Sequence, residues 1–211
     1  MVLKGDFMNN RSGNLRKITV TAIMAAMGFV LMMVGDSIPV PLMPSFIKLD
    51  LSELPALITA FAFGPFWGVL VCLVKNLVHL AFFFSNSFGI GELTNFLLGV
   101  PFVAVAGAVY KVKHNRKSAF AGALIGDFAM AAMCFVVNLF IAYPIYIKAE
   151  IVPEAGILGM YQAVLPSVNA LWQGVLIFNV PFTFVKGLIS VVITFVIYHK
   201  LSPIIKGKVR G

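Results

Sequence analysis

The sequence contains few charged residues. Asp, Glu, Lys and Arg make up 11% of its 211 residues, while 60% are hydrophobic. An ordinary soluble domain carries about 25% charged residues, so this composition excludes that class and indicates a protein whose solvent is the lipid bilayer. Cysteine is scarce as well: Cys72 and Cys134 fall in apolar segments, without C-x-x-C spacing. We interpret both as small buried side chains and predict no metal site.

Several signatures of nucleotide binding and catalysis are also absent. Without a G-x-x-x-x-G-K-[ST] motif, any ATP-driven work would require another chain. The chain lacks an H-E-x-x-H motif and a Gly-x-Ser-Gly nucleophile turn inside an apolar segment, and we predict that it is not an enzyme. An intramembrane enzyme that uses His79 with Ser85 or Ser87, or Glu92 as acid or base, is the alternative.

The long apolar runs end at proline, glycine and clusters of charge. Since a spanning helix needs about 20 residues, we predict an all-α membrane protein, one domain over 1–211 built as a bundle of six transmembrane helices. The predicted helices cover about 17–35, 50–63, 66–84, 91–111, 118–143 and 176–200. Residues 50–84 would reach roughly 52 Å as one helix, too long for a single crossing. Gly64-Pro65 is the expected break.

The basic residues are distributed unequally between the predicted connections. Twelve of them lie on one side of the membrane. Lys4, Arg11, Arg16 and Lys17 precede the first helix; Lys111, Lys113, Arg116 and Lys117 lie between the fourth and fifth; and Lys200, Lys206, Lys208 and Arg210 follow the sixth. Only Lys48 and Lys148 fall on the other side. Because Lys and Arg in short loops stay cytoplasmic, both termini are predicted to be cytoplasmic. This asymmetry and anionic lipid headgroups account for the net charge of +8, so no nucleic-acid partner is predicted.

Polar side chains concentrate in the outer half of the predicted membrane. Lys75 and Lys186 lie deepest, about 13 and 15 Å from the outer helix ends. Ionisable groups at such depth are costly unless they face a partner, a cavity or a ligand. They are accompanied by Asn76, His79, Glu92, Asn95, Asn138 and Thr183. This pattern predicts a pocket that opens outward and is closed below.

Other interpretations of these residues remain open. Asn and Thr in membrane helices often make interhelical hydrogen bonds, and Lys75 could form a structural ion pair with Glu92 or Glu53. Two long outer segments could cover a pocket: 36–49, which contains three prolines, and 143–173, which contains Tyr146. In the first helix, Ala22 and Ala26 form a small-x-x-x-small face, suited either to a partner subunit or to packing within the chain.

Local motifs occur in an order that resembles a known family. They are KLDLSELPALI from residue 48, FGP from 63, KNLVH from 75, GELTNF from 91, NLF from 138 and PFTFVKG from 181. In this order they are similar to the substrate-binding S components of energy-coupling factor (ECF) vitamin transporters, and among these to the riboflavin-specific members. The resemblance extends over nearly the whole chain.

The resemblance implies a six-helix bundle in the bacterial plasma membrane that binds riboflavin near its outer face, as transported substrate and not as cofactor. It also implies docking on a shared transmembrane T component that carries two ATPases. Asn138 and Lys186 would contact the flavin and its ribityl chain, and Asp50-Leu51 would lie in or beneath the covering loop. The sequence departs from the family at Thr183, where the family has Asn. A threonine can keep one hydrogen bond, but it cannot supply an amide's paired donor and acceptor.

From the depth pattern and the resemblance together, we expect one substrate-binding set. It comprises Asp50, Leu51, Lys75, Asn76, His79, Glu92, Asn95, Asn138, Tyr146, Thr183 and Lys186. A buried lysine could also tolerate a phosphorylated flavin such as FMN. An S component for another vitamin or small solute is the alternative.

Overall fold

The computed structural model describes residues 3–206, and the side chains of 13–83 and 88–198. Among residues named above, Lys208 and Arg210 lie outside the described residues, and Lys4, Arg11, Ser85, Ser87, Lys200 and Lys206 lie outside the described side chains. The described chain forms helices joined by connections of different length, and the connection over 37–52, between the first two helices, contains one isolated β-bridge, between Pro39 and Lys48.

In chain order, the structure contains nine α-helices and two π-helical segments over residues 3–206. They are α1 (Leu3–Asp36), α2 (Glu53–Phe63), α3 (Pro65–Ser87), α4 (Ile90–Val112), α5 (Arg116–Val137), π1 (Asn138–Ala142), α6 (Tyr143–Lys148), α7 (Glu154–Gln162), α8 (Leu171–Gly174), π2 (Val175–Asn179) and α9 (Val180–Lys206). The segment α5-π1-α6 is continuous, as is α8-π2-α9. The predicted helices therefore lie in the expected places, and the fifth and sixth extend beyond the predicted outer ends.

Five helical stretches in the described residues are long and apolar enough to cross a membrane. They are Gly13–Asp36, Pro65–Phe83, Ile90–Val112, Arg116–Lys148 and Leu171–Tyr198. The predicted second helix is present as α2, but its 11 residues reach only about 16 Å, about half the thickness of a bilayer core. The all-helical membrane fold is confirmed, and the count of six spanning helices stays a prediction.

A sharp turn joins α2 to α3 at the predicted break. Gly64 has a φ of 104°, which favours glycine, and its N–H donates to the Ala60 carbonyl at 2.9 Å. Pro65 then occupies the first turn of α3, where a missing N–H costs nothing. Glu53 and Lys75 are each eleven residues from Gly64 in sequence (64 − 53 and 75 − 64). The hairpin therefore brings them to the same level, in the middle of the bundle.

Two apolar clusters hold the fold together. The larger joins α2 to α4, α5 and α9 and has Leu57, Phe102 and Met130 fully buried at its centre. The smaller packs the outer segment against the ends of the membrane helices, with Tyr161 of α7 and Val175 of π2 fully buried. The long connection between the last two spanning helices is therefore a packed cover that contains a helix.

Candidate functional site

Lys75 lies at the centre of a buried polar cluster that joins α2, α3 and α4. Its ammonium donates to the Ser52 hydroxyl, to Glu53 Oε1 at 3.2 Å and to Asn95 Oδ1 at 3.1 Å. A lysine ammonium has three N–H donors, so all of them are used. Lys75 is 0% exposed, and its role in this structure is to connect three helices.

Asp50 closes the same cluster from the segment that precedes α2. One carboxylate oxygen accepts from the Ser52 N–H at 2.7 Å, and the other accepts from the Ser52 hydroxyl at 2.9 Å and from Asn95 Nδ2 at 2.5 Å. Burial alone would raise the pKa of Asp50, but the charges of Lys75 and Lys186 and the hydrogen bonds from Ser52 lower it to about 2. Asp50 is therefore a permanent anion at neutral pH, and it fixes the start of α2.

Lys186 differs from Lys75 in how its donors are used. Its one direct contact with a polar side chain, among the side chains described, is an ion pair from Nζ to Glu53 Oε2 at 3.4 Å. That oxygen accepts no hydrogen bond within the described part of the chain, which indicates a loose contact. Lys186 therefore has donor capacity that a ligand could use, and Glu53 connects it to Lys75.

Asn138 and Thr183 meet where π1 and α9 face each other. Asn138 Nδ2 donates to the Cys134 carbonyl at 2.8 Å and lies 3.3 Å from its sulfur, and Thr183 Oγ1 lies 3.3 Å from the same sulfur. The side-chain carbonyl of Asn138 accepts no hydrogen bond from the described residues. Because Thr183 and Lys186 are one helical turn apart, this pair lies at the face of α9 that carries Lys186.

His79 and Glu92 form a second polar group toward the Asp36 end of α1. His79 Nδ1 lies 2.7 Å from Glu92 Oε1, and Nε2 lies 3.2 Å from Asp36 Oδ2. The imidazole also stacks on the Phe83 ring, with centroids 4.9 Å apart. Both imidazole nitrogens are occupied by protein carboxylates, so His79 holds the ends of three helices together.

A third polar group was not predicted from the sequence. The hydroxyls of Tyr143 and Tyr161 are 2.5 Å apart, and the Tyr161 hydroxyl donates to Asn179 Oδ1 at 2.8 Å. Asn179 Nδ2 in turn donates to the Tyr143 hydroxyl at 3.2 Å. The triad anchors α7 to the two helices that contain π segments. Such π-helical interruptions often mark functional sites. Here the first segment begins at Asn138 and the second ends at Asn179.

One cavity in the described part of the chain lies between the proline-rich segment and α7. It measures about 700 Å³, the size of a small-molecule pocket. Its lining includes Pro39, Met43, Lys48, Gly159 and Met160. None of the eleven predicted binding residues lines it, although Lys48 is two residues from Asp50.

The structure thus divides the predicted binding set into several groups. Asp50, Lys75, Asn95 and Lys186 share one cluster through Ser52 and Glu53. Asn76 donates to the Cys72 carbonyl of its own helix, and its buried Oδ1 has no partner among described residues. Leu51 and Tyr146 are partly buried. Charged and amide groups bond directly to one another, and a chamber between them stays a prediction.

Comparison with known proteins identifies the family. Residues 16–198 match the family described as ECF transporter, substrate-specific component. The chain belongs to that family. A solved structure titled "Structure and mechanism of the S component of a bacterial ECF transporter" superposes with a TM-score of 0.70 at 28% identity, covering 92% of this chain and 99% of the other. This S component is therefore a transport protein, not an enzyme, and a multi-pass protein of the bacterial plasma membrane.

Two curated relatives are similar over almost their whole length. "Riboflavin transporter RibU" of Staphylococcus aureus strain TCH60 is 31% identical over 93% of this chain and 95% of its own. "Riboflavin transporter FmnP" of Bacillus subtilis strain 168 is 26% identical, and the match covers 90% of this chain and 93% of FmnP.

Proposed function

We propose that this S component binds riboflavin and mediates its uptake. Relatives named as riboflavin transporters match nine-tenths of the chain or more, which supports this substrate over another vitamin. The observation that carries the proposal is the difference between the two buried lysines. Lys75 uses all three donors within the protein, whereas Lys186 makes one ion pair at 3.4 Å. Lys186 therefore retains donors for a ligand.

The groups near Lys186 suit the chemistry of a flavin. A flavin has a flat aromatic face, an edge of alternating donors and acceptors, and a polyhydroxyl tail. The Lys186 ammonium can donate to ring carbonyl or hydroxyl oxygens, while the free carbonyl of Asn138 can accept from a ring N–H or a hydroxyl. Thr183 adds one hydroxyl. Apolar side chains around these groups would bury the flat face, as in most small-molecule pockets.

We infer that the ligand enters between the outer segments and reaches the Lys186 ammonium. The cavity between Pro39–Lys48 and α7 has room for part of a flavin, and its Lys48 rim leads to Asp50 and α2. Ligand atoms would then accept from the unused donors of Lys186 and share its ammonium with Glu53. The remaining residues of the predicted set, including Asp50, Lys75, Asn95 and His79, would hold the walls in place through the bonds described above.

Uptake requires partners that supply energy. We propose six membrane helices with both termini cytoplasmic, α2 being the short second one, and docking on a T component with two ATPases. Ala22 and Ala26 are both exposed on α1, one turn apart, so a partner helix can approach closely there. ATP hydrolysis on the partner chains would reorient the bundle and open the pocket inward.

The decisive experiment is to purify the protein in detergent and record its absorbance spectrum. A copurified flavin would identify the substrate. If none copurifies, titration with riboflavin, FMN and a panel of other vitamins, followed by ligand fluorescence or calorimetry, decides between them. Saturable quenching of riboflavin fluorescence at one site per chain is expected. A protein that binds another vitamin and leaves riboflavin fluorescence unchanged would overturn the proposal.

Lys186→Met tests the site at which binding occurs. This change removes the ammonium but keeps a flexible apolar stem, and it should weaken riboflavin binding. Lys148→Met is the matched control, because Lys148 is exposed at the end of α6. If the two variants bind equally well, the ligand does not use Lys186.

A further inference from the structure

One buried carboxyl group has no role in the contacts described so far. Asp127 lies near the middle of α5 and is 0% exposed, and neither of its carboxyl oxygens has a hydrogen-bond partner among the described residues. Burying a carboxyl group without a partner costs free energy, so such a group inside a membrane protein indicates a functional site. The surroundings of Asp127 suggest which function it serves.

Asp127 packs directly against the helix that carries Lys186. A Cβ atom placed on Gly187 would lie 1.7 Å from Asp127 Oδ1, so the carboxyl group fills the space left by the missing side chain. Any other residue at 187 would displace it. The carboxyl therefore reaches the backbone of α9 at the residue next to Lys186.

Asp127 continues a line of polar groups along the boundary between α5 and α9. On α5, Cys134 and Asn138 are seven and eleven residues after Asp127 and share one face of the helix. On α9, Thr183 is one turn before Gly187. The contacts of Thr183 with Cys134, and of Gly187 with Asp127, place these faces against each other. Lys186 lies on α9 between the two contacts.

We propose that Asp127 is a second counter-ion for Lys186, occupied when the ammonium leaves Glu53 and the substrate. The proposal rests on the proposed function, and it makes Asp127 a positioning residue for release, not a contact of bound riboflavin. Lys186 has a flexible four-carbon stem, and its present contact with Glu53 is long. A carboxyl group without a partner, one residue away on the packed helix, offers the ammonium an alternative partner.

This arrangement would let the protein release its substrate without leaving an unpaired cation in the membrane. While riboflavin is bound, Lys186 is shared between Glu53 and the ligand. When the bundle is reoriented by its partner subunits, movement of the ammonium toward Asp127 would remove a donor from the ligand. Binding and release would then depend on different carboxylates, Glu53 and Asp127.

The test separates binding from transport. Asp127→Asn keeps the shape of the side chain and removes its charge, so the Kd of the purified S component for riboflavin should stay unchanged. Riboflavin uptake by the full transporter, reconstituted with its T component and ATPases, should fall about tenfold, the size of a typical coupling between sites. Equal uptake by Asp127→Asn and wild type would overturn the inference.

Two further variants distinguish a switch from a structural role. Thr194→Val is the matched control. Like the Asp127 carboxyl on α5, the Thr194 hydroxyl on α9 is buried and has no partner in the described part of the chain. Its removal should leave uptake unchanged. Gly187→Ala should displace the Asp127 carboxyl and reproduce the split between binding and uptake. Parallel losses of binding, uptake and thermal stability in these variants would indicate a structural role instead.

The outcome also separates this inference from the proposed function. If wild-type protein fails to bind riboflavin, the substrate assignment fails. If the wild type binds and transports riboflavin and Asp127→Asn does so equally well, only the role of Asp127 fails. Should Asp127→Asn prove too unstable to purify, Gly187→Ala supplies the same comparison, because it moves the carboxyl without removing it.

Discussion

The ammonium of Lys75 lies 3.2 Å from Glu53 Oε1, and neither side chain is more than 1% exposed. This pair results from the hairpin at Gly64, which brings two residues equally distant from the turn to one level. The pair is completed by hydrogen bonds to Ser52 and Asn95, so the lysine leaves no donor unused. Breaking it would leave the buried Glu53 carboxylate with only its longer contact to Lys186.

Lys75→Met should therefore destabilise the protein strongly. Loss of one partner of a buried ion pair costs about 3–5 kcal/mol, because the other charge remains buried. Thermal unfolding of the detergent-solubilised protein measures the effect. In the double variant Lys75→Met/Glu53→Gln, only part of the loss should be recovered, since the Glu53 charge that lost Lys75 is gone but Lys186 then loses its contact with Glu53. Additive effects of the two single changes would contradict direct pairing.

The break at Gly64-Pro65 and the position of each long helix could be predicted, because proline, glycine and the length of apolar runs are local signals. The pairing of Lys75 with Glu53 was one of two alternatives, since sequence gives the depth of a residue but not the direction in which its side chain points. Tyr161 could not be connected with Asn179, because nothing in the sequence fixes how the outer segment folds back onto the helices. Likewise, a π-helical turn at Asn138 has no sequence signature.

Lys186→Met should affect ligand binding more than stability, in contrast to Lys75→Met. The contact that it removes is a single ion pair at 3.4 Å, whereas a hydrogen bond between a ligand and a charged group contributes about 1.5–3 kcal/mol. That range corresponds to a loss of affinity of about tenfold or more. Titration by riboflavin fluorescence and a thermal melt of the same sample provide the comparison. A large fall in melting temperature with unchanged affinity would show that Lys186 stabilises the fold and does not bind the ligand.

Asp50 should make the protein sensitive to acid only well below neutral pH. Its pKa of about 2 in the folded protein is below the ordinary value of 3.8, so its contribution to stability is present above that ordinary value and is lost as the pH falls toward 2. We expect no contribution from Asp50 to the pH dependence of stability between roughly pH 5 and 8. Melting curves of wild type and Asp50→Asn from neutral to acid pH test this.

Asp50→Asn should have a lower melting temperature at neutral pH, because the anion that accepts from Ser52 and Asn95 is gone. The difference from wild type should shrink as the pH approaches the folded-state pKa. A difference that stays constant down to that pH would show that the charge of Asp50 does not stabilise the fold. Ser45→Ala, in the same outer segment, provides a control without a carboxylate.

Tyr161→Phe should loosen the outer cover. Burial raises the pKa of Tyr161 above its usual range, so the neutral phenol donates to Asn179 at every physiological pH. Removing the hydroxyl leaves Asn179 Oδ1 without this donor, at a cost of about 1–3 kcal/mol. Hydrogen exchange of α7 should become faster, and riboflavin should dissociate faster if α7 covers it. Tyr146→Phe is the control, and equal exchange rates in the two variants would contradict the anchoring role.

Enlarging the small-residue face of α1 should separate binding from uptake. Ala22→Leu and Ala26→Leu add bulk at exposed positions, so the interior of the bundle and riboflavin affinity should be unaffected. If a T-component helix packs closely on this face, the added methyl groups should keep the two helices apart and abolish uptake. Val192→Leu, at an exposed position on α9, controls for added apolar volume. Normal assembly and uptake by both alanine variants would show that the partner docks elsewhere on the bundle.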